Sequence, residues 1–205
     1  MIIFEIFAAG PIETNTILLG CPKTHHACII DCPSDSATWI QKRVKALGLH
    51  VDCILLTHSH WDHIADTAKL KKAFNVPVWI HAEDAPNLEK PGVDGLPLHF
   101  PIEGVKPSGH LADGQVLKVG ELEIKVMHTP GHTPGSVCFL LPDEGMLISG
   151  DTLFRGRMGR LDLPTGRPGL MKGSLKKIGM LPRETRVYPG HGESTTIKEE
   201  AWIMK

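Results

Sequence analysis

Apolar, β-branched residues cluster at 2–9, 15–20 and 27–31, separated by Gly10-Pro11 and Gly20-Cys21-Pro22. Short runs bounded by turn-formers predict three strands in an antiparallel meander. From 35 to 47 the period changes: Trp39, Ile40, Val44 and Leu47 recur at helical spacing, Ser34 and Asp35 precede them as candidate caps, and Gly48 follows. A strand over 51–56, a helix over 62–74 with Ile64, Ala68 and Phe74 inward, a strand over 76–80 and a short helix over 82–88 come next.

Residues 91–110 hold Pro91, Gly92, Gly95, Pro97, Pro101, Gly104, Pro107 and Gly109. That many breakers exclude an element interior and predict a long loop of the kind that carries function. Beyond it the pattern gives strands at 116–127, 136–141 and 145–150, a helix at 169–180 and a strand at 184–188. Thr196 and Glu199 have the spacing of a capping box for a last short helix. Strands in both halves with helices between them suit two sheets packed face to face with helices outside.

The 205 residues, 41% apolar, suffice for one domain with a substantial core, residues 1–205. Acids and bases are interspersed at a net charge of −1, which speaks against nucleic-acid partners and a polybasic membrane patch. No apolar run approaches the ~18 residues of a membrane span. The opening M-I-I-F-E-I-F-A-A-G lacks a basic start and carries Glu5, so it reads as a strand rather than a signal peptide, and a cytoplasmic location is expected. Cys21, Cys28, Cys32, Cys53 and Cys138 are odd in number without C-x-x-C spacing; they read as free thiols with no assigned function.

The chemistry gathers after the strand at 51–56. His58, His60, Asp62 and His63 fall within I-L-L-T-H-S-H-W-D-H-I-A, on a loop at a strand end. Alternation directs His58 and His60 to one side, while the turn that follows lets Asp62 and His63 face a second point, so two adjacent metals are expected.

This H-x-H-x-D-H run, with His132 in T-P-G-H-T-P-G-S, Asp151 in I-S-G-D-T-L-F and His191 in Y-P-G-H-G, resembles the signature of the metallo-β-lactamase superfamily. The likeness runs from about Gly10 to the Thr195-Thr196-Ile197 segment. Within the superfamily, G-D-T-L-F followed by G-R-L-D-L-P is similar to the small glyoxalase II-like (hydroxyacylglutathione hydrolase-like) enzymes and to the related persulfide dioxygenases. The resemblance implies an α/β fold, an αββα sandwich of two mixed β-sheets flanked by helices. It implies that His58, His60 and His132 hold one metal, that Asp62, His63 and His191 hold the other, and that Asp151 bridges them. Asp62 and Asp151 are then the candidate catalytic residues. The implied reaction is hydrolysis of a thioester such as S-D-lactoylglutathione by a metal-bridging hydroxide. A thiol of pKa about 8.5 leaves with little help from an acid. The alternatives are a mono-iron persulfide dioxygenase using only His58, His132 and Asp151, and a non-catalytic metal-bound module.

Nitrogen and carboxylate donors suit zinc, iron or manganese; two divalent ions are expected, zinc first, with iron or manganese as alternatives. Asp31 stands where the superfamily usually shows D-x-G and is a candidate partner of a metal-binding histidine, or else a turn former or helix cap. His25, His26, His50, His81, His99, His110 and His128 read as solvated or packed, with His128 a candidate support for His132. Arg155, Arg157 and Arg160 are candidate contacts for the carboxylates of a glutathione-like substrate, although Arg160 could instead pair with Asp162. Phe154 stands where quorum-signal lactonases of the superfamily place tyrosine, and Asp151 where zinc β-lactamases usually place cysteine; both point away from those branches. The segment 192–205 leaves no room for the helical domain of longer glyoxalase II enzymes, so a weaker grip on the tripeptide is expected.

Overall fold

In the computed structural model, which describes residues 2–204, the expected meander is formed by β1 (Ile3–Ala9), β2 (Thr14–Gly20) and β3 (His26–Ile30). Helix α1 (Ser36–Leu47) leads to β4 (His50–Leu55), parallel to β3. Helices α2 (Trp61–Ile64) and α3 (Thr67–Phe74) lead to β5 (Val78–His81), parallel to β4. After α4 (Ala85–Glu89) the breaker-rich loop ends in β6 (Gly109–Leu111), parallel to β5. The six strands form one mixed sheet in chain order.

In the second half β7 (Val116–Val119), β8 (Leu122–His128), β9 (Val137–Leu141) and β10 (Met146–Gly150) run antiparallel in turn. A small hairpin follows, β11 (Leu153–Phe154) with β12 (Arg157–Met158), and then α5 (Pro168–Gly179). β13 (Arg186–Pro189) returns parallel to β10, and β14 (Thr195–Thr196) pairs antiparallel with β13. The second mixed sheet has the order β14-β13-β10-β9-β8-β7.

Three apolar layers explain why the strands read as continuous runs. Along β3, Ala27 and Ile29 face α1 and α3, whereas Cys28 and Ile30 face the other sheet. On β10, Met146 and Ile148 meet that same central layer while Leu147 packs toward Met171, Leu175 and Ile178 of α5. Each sheet is thus covered on both faces, which is the αββα arrangement. Phe139 fills the central layer with no exposed surface; burying such a ring contributes roughly 1.5–3 kcal/mol.

Four local expectations change. The helix over 62–74 is broken at Ala65-Asp66: the His63 carbonyl accepts the Cys32 N–H and the Asp66 N–H donates to the Cys32 carbonyl, at 2.7 and 2.8 Å. These backbone groups serve the loop after β3 instead of the helical ladder. Asp66 then caps α1 from afar, its Oδ2 accepting the Ala37 N–H at 3.0 Å; Ser34 and Asp35 do not cap, and Asp35 sits at φ 67°. The run over 116–127 is two strands turning at Gly120, φ 58°. The Thr196 hydroxyl does accept the Glu199 N–H at 3.2 Å, but only a 3₁₀ turn, Ala201–Met204, follows.

No helix of the described residues is long and apolar enough to cross a membrane.

Candidate metal centre

All seven candidate ligands leave the C-terminal ends of strands that run the same way within their sheets. His58, His60, Asp62 and His63 follow β4; His132 follows β8, Asp151 β10 and His191 β13. The structure brings them together in overlapping groups: His58, His60 and His132; His58, His63 and Asp151; and Asp62, His63 and His191, the ligand atoms within each lying within 4.8 Å of one another. All seven are buried or nearly so.

Hydrogen bonds on the far side of the rings fix which nitrogen faces inward. His63 Nδ1 donates to Asp31 Oδ2 at 2.8 Å, His132 Nδ1 to the Arg160 carbonyl at 2.9 Å, and His191 Nδ1 to the Ile12 carbonyl at 3.0 Å. Thr57 Oγ1 gives its proton to Asp31 Oδ2 at 2.7 Å, so at 3.1 Å from His58 Nδ1 it accepts. In each case the hydrogen bond occupies Nδ1, so that Nε2 is the nitrogen turned inward and left for a cation. The Nε2 atoms of His58, His60, His63 and His132, with Asp151 Oδ1, are buried without a hydrogen-bond partner. Orphaned buried acceptors are costly.

The carboxylates sharpen the point. Asp151 Oδ1 lies 3.4 Å from His63 Nε2, while Oδ2 lies 3.4 Å from His132 Nε2 and 3.6 Å from His191 Nε2. Asp62 Oδ2 lies 3.3 Å from His63 Nε2 and 3.2 Å from His191 Nε2, and accepts the Thr14 hydroxyl at 2.8 Å. Lone pairs facing one another at such spacings repel unless a cation lies between, and the spacings suit pairs of ligands each about 2.1 Å from a shared ion. The donors present fit two divalent cations.

Protonation follows the same geometry. Burial lowers the pKa of His58 well below the ordinary imidazole value, with His63 and His60 adding to it, and burial with His132 lowers that of His60 to about 3. For Asp62 and Asp151 burial is the largest single influence and pushes upward, but His63 and His191 together, with Thr14 at Asp62 and His132 at Asp151, outweigh it and hold both carboxyls below their usual range. Burial likewise opposes a charge on His63, yet Asp62, Asp31 and Asp151 around it raise its pKa well above normal.

Sequence reasoning had singled out Asp31, and the structure places it under His63. It had not found Thr57, Thr14 or the carbonyls of Ile12 and Arg160. Nor had it found Asp84, which is buried and joins two ligand loops: its carboxylate accepts Ser59 N–H at 2.9 Å, Thr133 Oγ1–H at 2.8 Å and Gly135 N–H at 2.7 Å. Gly190 is required by close approach, since a Cβ there would stand 2.2 Å from Asp151 Oδ1 and 2.7 Å from His63 Cε1. His128 does not support His132. Its Nε2 donates to the Pro134 carbonyl at 2.9 Å and its ring stacks on His81 at 4.0 Å. All five cysteines are free and none lines the site.

A cavity of about 600 Å³ opens over the ligands, walled by Ile12, Trp61, Leu96, Phe154, Met158 and Leu163. Leu96 and Pro97 bring the breaker-rich loop into that wall, and Trp61 pins it edge-on against His99 and Phe100. Arg157 and Arg160 also line the cavity; Arg155 does not. A wider concavity of about 960 Å³, bordered by Gly10, Asp35, Lys69 and Phe100, holds none of the seven ligands.

Comparison with known proteins agrees with this geometry. BLEG-1, described as a B3 metallo-beta-lactamase, superposes with a TM-score of 0.89 at 37% identity, over 97% of this chain and 96% of that one. TTHA1623, solved in a di-iron-bound form, gives a TM-score of 0.83 at 36% identity over 96% of each chain. Hydroxyacylglutathione hydrolase GloC of Haemophilus influenzae is 33% identical, over 96% of this chain and 93% of its own length. Residues 9–191 match the family description of the metallo-beta-lactamase superfamily, and this chain belongs to that superfamily.

Proposed function

We propose that this metallo-hydrolase cleaves acyl-thioesters such as S-D-lactoylglutathione. The observation that carries the reading is Asp151: one carboxylate, held ionised, with Oδ1 toward His63 and Oδ2 toward His132 and His191, so that it reaches both ligand sets. His58, His60 and His132 would hold one cation, Asp62, His63 and His191 the other, zinc first with iron or manganese as alternatives; the di-iron form of TTHA1623 keeps iron in view. When bound, two such cations supply Lewis acidity and a water acidified to near neutrality.

The chain's own residues do the rest. Asp31, Thr57, Ile12 and Arg160 hold the imidazoles in one tautomer, and Thr14 orients Asp62. Trp61, Leu96 and Phe154 give the cavity apolar walls beside the place a reacting carbonyl would occupy. Because the carboxylates of Asp62 and Asp151 are held ionised, the cavity favours a leaving group that departs unprotonated, as a thiolate does. The likeness to GloC supports the glutathione thioester in particular.

A second reading, β-lactam hydrolysis, draws on the likeness to BLEG-1. Its leaving nitrogen must receive a proton, which a carboxylate could pass on only after taking it from the attacking water, whereas a thiolate leaves without that relay. The test is turnover by metal-loaded protein of S-D-lactoylglutathione beside a β-lactam panel. Thioester cleavage with negligible β-lactam cleavage is expected; the reverse would replace the first reading by the second.

A further inference from the structure

The three arginines at the hairpin β11/β12 are not equivalent. Arg155 Nη1 donates to Glu193 Oε2 at 2.5 Å, and Arg160 makes a two-point pair with Asp162 at 2.9 and 2.8 Å. Arg157 has no carboxylate partner among the described residues. Its guanidinium carbon lies 5.2 Å from the centroid of the Phe154 ring, and the residue is exposed at the cavity over the ligands. The Phe154 ring in turn stands 6.2 Å from the His191 ring. An uncompensated cation is therefore held one aromatic ring from the ligands, on a wall that is otherwise mainly apolar.

That position is built. Arg157 pairs with Phe154 across the hairpin. The turn is tied down by Glu200, a buried carboxylate whose Oε2 accepts the Gly156 N–H at 2.9 Å and the Trp202 Nε1–H at 2.6 Å, while Oε1 accepts the Thr195 hydroxyl at 2.7 Å. With the backbone fixed and the guanidinium lying over a ring within cation–π range, part of the side-chain freedom that anion binding would cost is already spent.

We propose that Arg157 anchors an anionic group, carboxylate or phosphate, on the part of the substrate remote from the reacting carbonyl, and so restricts the enzyme to acyl-thioesters of anionic thiols. The proposal rests on the thioester reading above. Arg155 and Arg160, already neutralised, contribute far less.

The test is equilibrium binding of non-hydrolysable thioethers to metal-loaded protein: S-methylglutathione, its dimethyl ester, and S-methyl coenzyme A. Wild type is expected to bind the diacid about tenfold more tightly than the diester, the scale of one charge-assisted contact. Arg157→Ala should abolish that preference and Arg157→Lys should keep part of it. Dependence of the coenzyme A thioether on Arg157, without dependence of the glutathione pair, would assign the anion as phosphate. An Arg157→Ala variant that keeps its metals and the wild-type preference on both ligands overturns the proposal. Thioester hydrolysis measured in parallel separates the two ideas. Turnover without Arg157-dependent binding removes the anchor alone; Arg157-dependent binding without turnover upholds the anion site and removes the thioesterase reading.

Discussion

Asp31 Oδ2 accepts the Nδ1–H of His63 at 2.8 Å, from a residue whose own backbone stands at φ 57°. The same carboxylate takes the Thr57 N–H at 2.8 Å and the Thr57 hydroxyl at 2.7 Å, and through that hydroxyl reaches His58. One side chain thus sets the tautomer of a histidine in each ligand set. Asp31→Ala should weaken metal binding by about 10- to 100-fold, with most of the loss at the set that contains His63. Competition against a graded series of chelators measures it, and unchanged affinity at both sets would refute this role.

The two sets should load differently with pH. His63 has a raised pKa and carries a proton in the apo-protein, so a cation entering beside Asp62 and His191 must displace it. His58 and His60 have lowered pKa values and stay unprotonated at neutral pH, with His60 so down to about pH 3. Lowering the pH through neutrality should therefore weaken the second set before the first, with proton uptake on its metal release. Calorimetric metal titrations at several pH values read both effects, and two sites weakening in parallel would contradict the assignment.

Asp151→Ala removes a carboxylate whose oxygens face the Nε2 atoms of both sets, and hydrolysis should fall by at least ~10²-fold, the scale of a positioned catalytic group. Gly190→Ala should do similar damage without replacing a candidate ligand, because its Cβ would stand 2.2 Å from Asp151 Oδ1. Steady-state rates and metal content decide both; wild-type hydrolysis by either variant would show that Asp151 is not where the reaction runs.

Asp84 gives a stability prediction. Asp84→Ala leaves the buried N–H groups of Ser59 and Gly135 and the Thr133 hydroxyl without their acceptor, which should cost about 2 kcal/mol or more. Urea unfolding of the apo-protein reads this directly, and a midpoint equal to wild type would mean that water replaces the carboxylate.

The seven candidate ligands could be singled out in the sequence because each stands in a short local motif beside turn-formers, and strand ends can be read from apolar runs. Their supports were not, because they act across the fold: Thr14 reaches Asp62 over 48 positions and the Ile12 carbonyl reaches His191 over 179. A backbone carbonyl leaves no signature in a side-chain pattern. The break between α2 and α3 was hidden for a related reason, since the residues keep a helical pattern while their backbone groups are taken by Cys32, a partner outside the window. β6 was masked by the glycines and prolines of its loop and exists because β5 offers it an edge.

The central claim, a two-metal hydrolase joined at Asp151, is tested most directly by titrating metal into apo-protein while following S-D-lactoylglutathione hydrolysis. Activity should stay low through the first equivalent and rise with the second, and Asp62→Ala should remove the second step. Full activity at one equivalent would contradict the two-metal account. So would a protein that retains a single iron after Asp62→Ala and consumes oxygen with glutathione persulfide in place of hydrolysing the thioester.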